Sequence, residues 1–468
     1  MLDKKTKIVC TIGPASQDRK TIERMVKAGM NVARLNFSHG TYEQFLSIIQ
    51  NIRMVSKKLK TPIAIMQDLQ GPKIRVGEMP ANGIRLKKDA TIILTTARIT
   101  GSAKKIPVQY QNLPKDVHKK DRILIDDGLI ELQVIKVKGR EIFCRVLNPG
   151  VVLNHKGINV PTASISADPI TQKDIKDLAF GLKNNVDYVA LSFVKSAKNM
   201  IELREMIHRL RGRAKIIAKL ERHEAVENME EIIDASDAVM VARGDLGIEI
   251  PAEKVPVVQK RIIHLANLHG KPVITATQIL QSMVINPRPT RAEISDAANA
   301  VFDHSDALML SNESAIGKYP VQATMTLAKV AASTEQELSL HKELLPQKLF
   351  GENLPVSYAT CLNGAKLALD INARLIVAIT GSGFTAEHIA KHRIYIALIA
   401  ITEDPKVERE LALVWGIAKV FVQKINMENA AEEIKKLLVT KKLAKHGDKI
   451  VVVSNASKEE KLIFTVKI

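Results

Sequence analysis

Residues 215–221 read KIIAKLE, and residues 238–246 read AVMVARGDL. Each is an apolar, largely β-branched run that turns charged at its carboxyl end: Lys219 and Glu221 close the first, Asp245 the second. A strand buried along its length that opens into a polar mouth at its tip has this texture. The same pattern recurs outward in both directions, in TKIVCTIG from Thr6, NVARLNFS from Asn31, PIAIMQDL from Pro62, YVALSFV from Tyr188, PVITATQ from Pro272 and ALMLSNES from Ala307. With helical stretches between them, these eight runs are the number that closes a (β/α)8 barrel. Arg34, Asn36 and Ser38 end the second run, Asp68 the third, Thr277 the seventh, and Ser311 and Glu313 the eighth. The carboxyl ends of barrel strands form the active-site face. An ordinary turn residue explains any one of these positions, but not their recurrence.

Between the third and fourth runs the texture changes. GIRLKKDATIILTT, DRILIDDGLIELQVIKVKG and REIFCRVLNPG alternate apolar and polar residues and are broken by Gly, Asn and Asp, which predicts a small antiparallel β domain. On the active-site face it would form a lid that shuts water out. Near residue 340 the barrel pattern ends, and HKELLPQKLFGENLP reads as a linker. Beyond it ARLIVAIT, IALIAIT, AKVFVQ and DKIVVVS alternate with helices and predict an open α/β domain. The expected limits are 1–69 with 167–342 for the barrel, 70–166 for the inserted β-barrel lid and 343–468 for the carboxyl-terminal domain.

Bulk properties narrow the class. No apolar run approaches the roughly 18 to 20 residues of a spanning helix, and MLDKKTKIVC runs into a strand pattern without a signal-peptide core, so a cytoplasmic protein is expected. Cys10, Cys144 and Cys361 have neither disulfide-framework nor metal-ligand spacing, which suits a reducing compartment. The net charge of +19 raises the possibility of a polynucleotide partner. Lysines and arginines are interspersed with acids, aromatic residues make up 4%, and no basic tail stands out, so no specific nucleic acid is expected. A positive field also draws in small phosphorylated substrates, and a merely solvated basic surface is the plainer account.

Lys219 and Glu221, two residues apart, leave their strand on one face. A buried ion pair would explain them alone, but Asp245 arrives at the same level from the next strand. Two carboxylates with room for water and substrate oxygens suit Mg2+ or Mn2+. In VMVARGDLGIEIP, Gly244 lets the backbone approach a small ligand and Asp245 points a carboxylate at the metal; a helix-capping turn is the alternative. Farther on, TGSGFTAEHIAKHR is a Gly/Ser/Thr turn entering a helix, which either offers amides to a phosphate or only caps that helix.

TKIVCTIGPAS, MNVARLNFSHG, DLQGPKIR, VMVARGDLGIEIP, ITATQIL and NPRPTRAEISDAANAV, in this order, resemble the signature segments of the pyruvate kinases, and the likeness runs over the whole chain. The resemblance implies a phosphotransferase that passes the phosphoryl group of phosphoenolpyruvate to ADP, giving ATP and an enolate protonated to pyruvate, the last step of glycolysis. It implies that Glu221 and Asp245 hold the divalent ion and that Lys219 neutralises charge on the phosphoryl group and the enolate. Arg34 would grip the phosphate, and Asn36, Ser38, His39, Arg75 and Lys156 would lie on the nucleotide side. Gly244, Asp245 and Thr277 would surround the pyruvate moiety, with Thr277 and Ser311 as hydroxyls for enolate protonation. A homotetramer is implied, as is a phosphorylated allosteric effector held by Thr380, Ser382, Gly383 and Thr385.

The chain departs from the family pattern in places. Many members bind K+ through residues matching Asn36, Ser38, Asp68 and the carbonyl of Leu69, and carry a glutamate where this chain has Lys73. An ammonium there could supply the charge itself, so K+ is not expected to be required; a lysine that only points at nucleotide phosphate is the alternative. KLER replaces the more usual KIEN, bringing Arg222, and LSNES replaces LSGET, bringing Asn312 and Ser314. DLQGPKIR and KLER resemble the bacterial branch activated by AMP and sugar monophosphates, while Phe384 stands where many members have a polar or basic residue. A metal-dependent aldolase or lyase working on pyruvate enolate would suit the same barrel. A phosphate-sensing protein would not need Lys219, Glu221 and Asp245 together.

Overall fold

A computed structural model describes residues 4–340, 354–455 and 461–468. All but the last two residues of the linker read at 341–355 lie outside the described residues. The strands Lys7–Thr11, Val32–Asn36, Ala64–Asp68, Tyr188–Leu191, Lys215–Leu220, Ala238–Ala242, Val273–Ala276 and Ala307–Leu310 form a closed parallel barrel, the first pairing with the eighth as Lys7 with Ala307. Both faces are buried, hence the unbroken apolar runs. Val9, Met66, Ile217, Met240, Ile274 and Met309 fill the interior, while alternate residues such as Ile8, Ile65, Ile216 and Val239 pack on the helices.

An aspartate stands before the fourth, sixth and eighth strands and accepts the N–H that starts the preceding one. Asp187 takes Ile65 at 2.8 Å, Asp237 takes Ile216 at 2.8 Å and Asp306 takes Val273 at 3.1 Å. A one-residue slip would turn every side chain to the wrong face, so these bonds help fix the register.

The sixth strand is shorter than its sequence suggests. It stops at Ala242, and Arg243–Glu249 is helical, placing Asp245 in a first helical turn and not on a strand. The strand cannot go on because Arg243 turns back to bond the carbonyls of Ala276 and Thr277 and to pair with Asp296 at 2.7 Å. Likewise Ser311 follows the eighth strand and precedes a single turn, Asn312–Ala315.

The insertion holds a six-stranded sheet and a two-stranded ribbon, Ile84–Leu86 with Gly150–Val152, wrapped about one core in which Ile84 and Val152 pack with Leu94, Leu132 and Val146. Its pairing is antiparallel except where Thr91–Thr95 meets Lys105–Pro107. The carboxyl-terminal sheet runs Ile417–Val422, Ala397–Thr402, Leu375–Ile379, Lys449–Ser454, Leu462–Lys467, the last strand antiparallel and absent from the sequence reading. Among the described residues no helix is long and apolar enough to cross a membrane.

This third unit seals the barrel's floor. Ala412 and Leu413 of its turn Leu411–Leu413 belong to the same core as the barrel interior, with Leu413 fully buried. Around that plug Arg393 pairs with Asp306 at 2.7 Å, Arg409 with Asp187 at 2.7 Å and Lys215 with Glu387 at 2.5 Å, while Tyr188 donates to the Glu410 carbonyl at 2.8 Å. Burial pushes the Glu410 carboxyl up to about 7, against the pull of Lys215 and Lys406 and with Glu387 and Asp187 adding to the rise. A carboxyl whose folded pKa is raised contributes stability below its unfolded value and loses it as pH climbs through the folded one. Glu410→Gln should therefore gain Tm relative to the native chain between about pH 5 and 7 by thermal unfolding; a constant gap across that window would contradict the assignment.

Candidate active site

Four of the barrel's polar strand ends meet around one ammonium. Lys219, on the fifth strand, donates to Ser192 Oγ at 2.6 Å and lies 3.4 Å from Asp68 Oδ1 and 3.3 Å from Glu221 Oε2. Burial works against its charge, but Asp68, Glu221 and Asp245 together outweigh that and hold its pKa above the ordinary lysine value. Asp68 is fully committed: Arg34 meets it through Nε at 2.7 Å and a terminal nitrogen at 2.6 Å, and donates also to Thr11 Oγ1 at 2.9 Å. Burial alone would raise the Asp68 carboxyl, yet Lys219 and Arg34 keep it below its usual range.

Glu221 is set differently. Oε1 accepts the Phe193 N–H at 2.7 Å, whereas Oε2 is buried and makes no hydrogen bond. Burial is the largest influence on its carboxyl and raises the pKa, with Lys219 opposing and Asp245 adding to it. A buried carboxylate oxygen without a donor costs free energy unless a cation completes it. Lys219 supplies part of that charge; a divalent ion shared with the half-buried Asp245 fits the rest of the donor set.

Thr277 begins the turn after the seventh strand with φ +69, a left-handed conformation that a β-branched residue seldom adopts. It is held there by its hydroxyl, which donates to the Ala276 carbonyl at 2.6 Å and accepts the Gly244 N–H at 2.8 Å, and by Arg243 on its own carbonyl at 2.8 Å. A Cβ on Gly244 would sit in ordinary contact with the Thr277 side chain, nearest Oγ1 at 3.6 Å. Ser311 Oγ is buried without a partner. Glu313, by contrast, is spent on the backbone, accepting from Leu280 and Ser311.

The residues matched to the nucleotide side flank this mouth. Asn36 Oδ1 accepts the Ser38 N–H at 3.1 Å. His39 is exposed, and what desolvation it suffers, helped by Lys73, Arg75 and Lys173, lowers its pKa. Lys156 pairs with Asp126 at 2.8 Å inside the inserted unit, next to the bridge between Arg75 and Gly157. Lys73 keeps much of its surface exposed while protein crowds its ammonium; that desolvation lowers its pKa, and Asp245 pulls it back. Of the oxygens matched to a K+ pocket, Leu69 O accepts the Ser192 hydroxyl at 2.8 Å, and Asp68 serves Arg34 and Lys219.

Two other clusters lie beside Arg222 and beside the Thr380 turn. His223, Glu224 and Glu249 bring three potential ligand atoms together, but Arg222 already supplies their counter-charge, bonding Glu224 at 3.0 Å and lying 3.7 Å from Glu249. In the carboxyl-terminal unit a cavity of about 720 Å³ opens at the strands' carboxyl ends, lined by Arg213, Thr380, Gly381, Thr402, Asp404 and Ser454 among others. Of the four residues matched to an effector loop only Thr380 lines it; Ser382 is exposed, Gly383 donates to Thr380 Oγ1 at 3.0 Å, and Thr385 is buried. Phe384 stacks on His388 at 3.8 Å.

The sequence reading passed over Ser192 and Phe193, and noted Arg243 in its apolar run without a role. Ser192 and Phe193 were in view within YVALSFV, and a hydroxyl and a bulky residue just past a strand tip, level with Lys219, were the available signal.

Comparisons with known proteins show the family to which the chain belongs. The family description "Pyruvate kinase, barrel domain" matches residues 3–324, and "Pyruvate kinase, alpha/beta domain" matches residues 358–462. The chain is 44% identical to the pyruvate kinase of Geobacillus stearothermophilus over 455 residues, 96% of this chain and 77% of that one. To the pyruvate kinase of Staphylococcus aureus (strain MRSA252) it is 45% identical over 419 residues, 89% and 72% of the two chains. The crystal structure of a pyruvate kinase from Cryptosporidium parvum superposes with a TM-score of 0.92 at 36% identity, covering 99% of this chain and 96% of the other.

Proposed function

Because the chain belongs to the pyruvate kinase family, and so transfers the phosphoryl group of phosphoenolpyruvate to ADP to give pyruvate and ATP, we propose that the transfer takes place at the mouth built around Lys219. The observation that supports this most is Glu221 Oε2, buried without a hydrogen bond beside a fixed ammonium. Glu221 and Asp245 would hold Mg2+, or Mn2+ in its place, which when bound neutralises substrate carboxylate and phosphate oxygens. Lys219 then steadies charge on the moving phosphoryl group and on the enolate oxygen it leaves behind, the electrostatic work that dominates this chemistry. Arg34, with two faces fixed by Asp68 and Thr11, offers its remaining N–H groups to the phosphate in a set direction. Gly244 and Thr277 border the pyruvate moiety. The proton for the enolate carbon comes from water, passed along a hydroxyl chain that includes Thr277 and the partnerless Ser311. Asn36, Ser38, His39, Arg75 and Lys156 take the nucleotide, with the inserted domain closing over it to exclude water.

We assign the limits 1–69 with 167–342, 70–166 and 343–468 to barrel, lid and carboxyl-terminal domain, and place the protein in the cytoplasm as a homotetramer. Its type is the one activated by AMP or sugar monophosphates, with the cavity beside Thr380 receiving the effector's phosphate. In place of K+ in the pocket of Asn36, Ser38, Asp68 and Leu69, the Lys73 ammonium supplies the charge.

A steady-state titration of phosphoenolpyruvate with ADP and Mg2+ tests these readings together. Full rate is expected without K+, and a lowered KM for phosphoenolpyruvate with AMP or ribose 5-phosphate but not with fructose 1,6-bisphosphate. A rate that collapses without K+ and returns with it removes the role given to Lys73; no ADP-dependent turnover at all removes the site.

A further inference from the structure

We propose that Ser192 and Phe193, the corner after the fourth barrel strand, are positioning residues that set Lys219 and Glu221 together and tie both to the hinge of the inserted domain at Gly71. The proposal rests on the roles given above to Lys219 and Glu221.

A lysine ammonium is a point charge on a flexible stem. Asp68 and Glu221 draw Lys219 from nearly equal distances, 3.4 and 3.3 Å, so the carboxylates alone do not choose its place. The buried Ser192 hydroxyl does, because its own proton is committed to the Leu69 carbonyl at 2.8 Å and its lone pair faces Lys219 at 2.6 Å. Phe193 carries the second half of the device. Its φ of +58 is rare for a bulky side chain, and it turns the backbone N–H onto Glu221 Oε1 at 2.7 Å. With Oε1 held, Oε2 is the oxygen left for a cation.

The corner is wedged from the other side by Gly71, which follows the third strand where the chain enters the insertion. A Cβ there would come within 2.8 Å of the Phe193 ring and 3.2 Å of Ser192 Cβ, and Gly71 itself has φ +66. Its N–H is anchored to the buried Asp174 at 3.2 Å. The point where the chain leaves the barrel for the inserted domain is thus packed directly on the two residues that orient the lysine and the carboxylate.

The test uses the full-length protein with Ser192→Ala, Phe193→Ala and Lys219→Met. Binding of Mn2+ without substrates, read from the electron paramagnetic resonance of free Mn2+, gives a measurement independent of turnover. Phe193→Ala keeps the N–H but removes the ring that packs at Gly71 and holds the left-handed corner, so it should weaken Mn2+ about 10-fold, as misplacing an outer-shell partner commonly does. Ser192→Ala should leave Mn2+ binding and the KM for ADP within about twofold and lower kcat about 10- to 100-fold, since it acts through the lysine. Adding it to Lys219→Met should cost nothing more, a non-additivity that a merely structural serine would not show. Were Ser192→Ala not to fold, Ser192→Cys, nearly isosteric and a weaker acceptor, should give an intermediate kcat. Native kcat in the serine variants, or native Mn2+ binding in Phe193→Ala, overturns the proposal. Substantial activity in Lys219→Met overturns instead the reading on which it rests.

Discussion

Lys219→Met is expected to lower kcat by about a thousandfold, the upper range for deleting one preorganised group aimed at developing transition-state charge. Methionine keeps the length and packing of the stem, so the loss isolates the charge. Three consequences follow from the contacts of this ammonium. Asp68 keeps its bonds to Arg34, so the barrel should still fold. Glu221 loses the group that most opposes its protonation, so its carboxyl rises further and the divalent ion binds only at higher pH. Substrate carboxylate and nucleotide contacts made by other residues survive, so the KM for ADP should change little. Steady-state rates at saturating metal over a pH series, paired with a Mn2+ titration, check all three. A variant retaining a tenth or more of native kcat at saturation would remove Lys219 from the chemistry.

At the other end of the barrel, Arg393→Ala is expected to destabilise the protein by about 3–5 kcal/mol, the usual result of stripping one partner from a buried ion pair. Arg393 reaches Asp306 with two nitrogens, at 2.7 and 3.1 Å, bonds the His304 carbonyl at 2.7 Å and lies 5.0 Å from the centre of the Trp415 ring. Asp306 in turn holds the start of the seventh strand and the Trp415 N–H. Without the guanidinium its carboxylate is left between two N–H groups in a dry interface. Adding Asp306→Asn should recover part of the loss, because the uncompensated charge goes with it. Urea denaturation followed by tryptophan fluorescence reads both variants through Trp415 itself. A change below about 1 kcal/mol for Arg393→Ala would mean the interface admits water.

Much of this was legible in the chain, for reasons that can be stated residue by residue. Strand tips announce themselves because a barrel strand is apolar until it leaves the core, so Arg34, Asp68, Lys219 and Thr277 appear at predictable places. The strand limits failed where polar residues sit next to an apolar run for a tertiary reason: Arg243 and Asp245 look like strand-end residues until Arg243 is seen bracing the turn at Thr277. Ser192 was in view but passed over because its partner is on the next strand, 27 residues on, and the contact depends on register as much as on residue type. Phe193 was hidden for another reason, since a left-handed phenylalanine leaves no mark in composition or periodicity. Leu462–Lys467 was missed because its apolar and polar residues follow no clear period, as suits an edge strand with partial burial.

The plug at Ala412 and Leu413 bears on how the chain comes to exist in a cell. Synthesis is vectorial, and domains commonly fold as they emerge. Here all eight barrel strands leave the ribosome about a hundred residues before the turn that completes their floor. A nascent barrel thus waits with an apolar hole in its base, shielded by nothing of its own. A chain ending before that turn keeps the hole, and with it Asp306 at its rim without Arg393 and Asp187 left to Arg53 alone. The residues that finish the core thus arrive only after the strands they close, and a chain lacking them exposes apolar surface of the kind on which chaperones and proteases act.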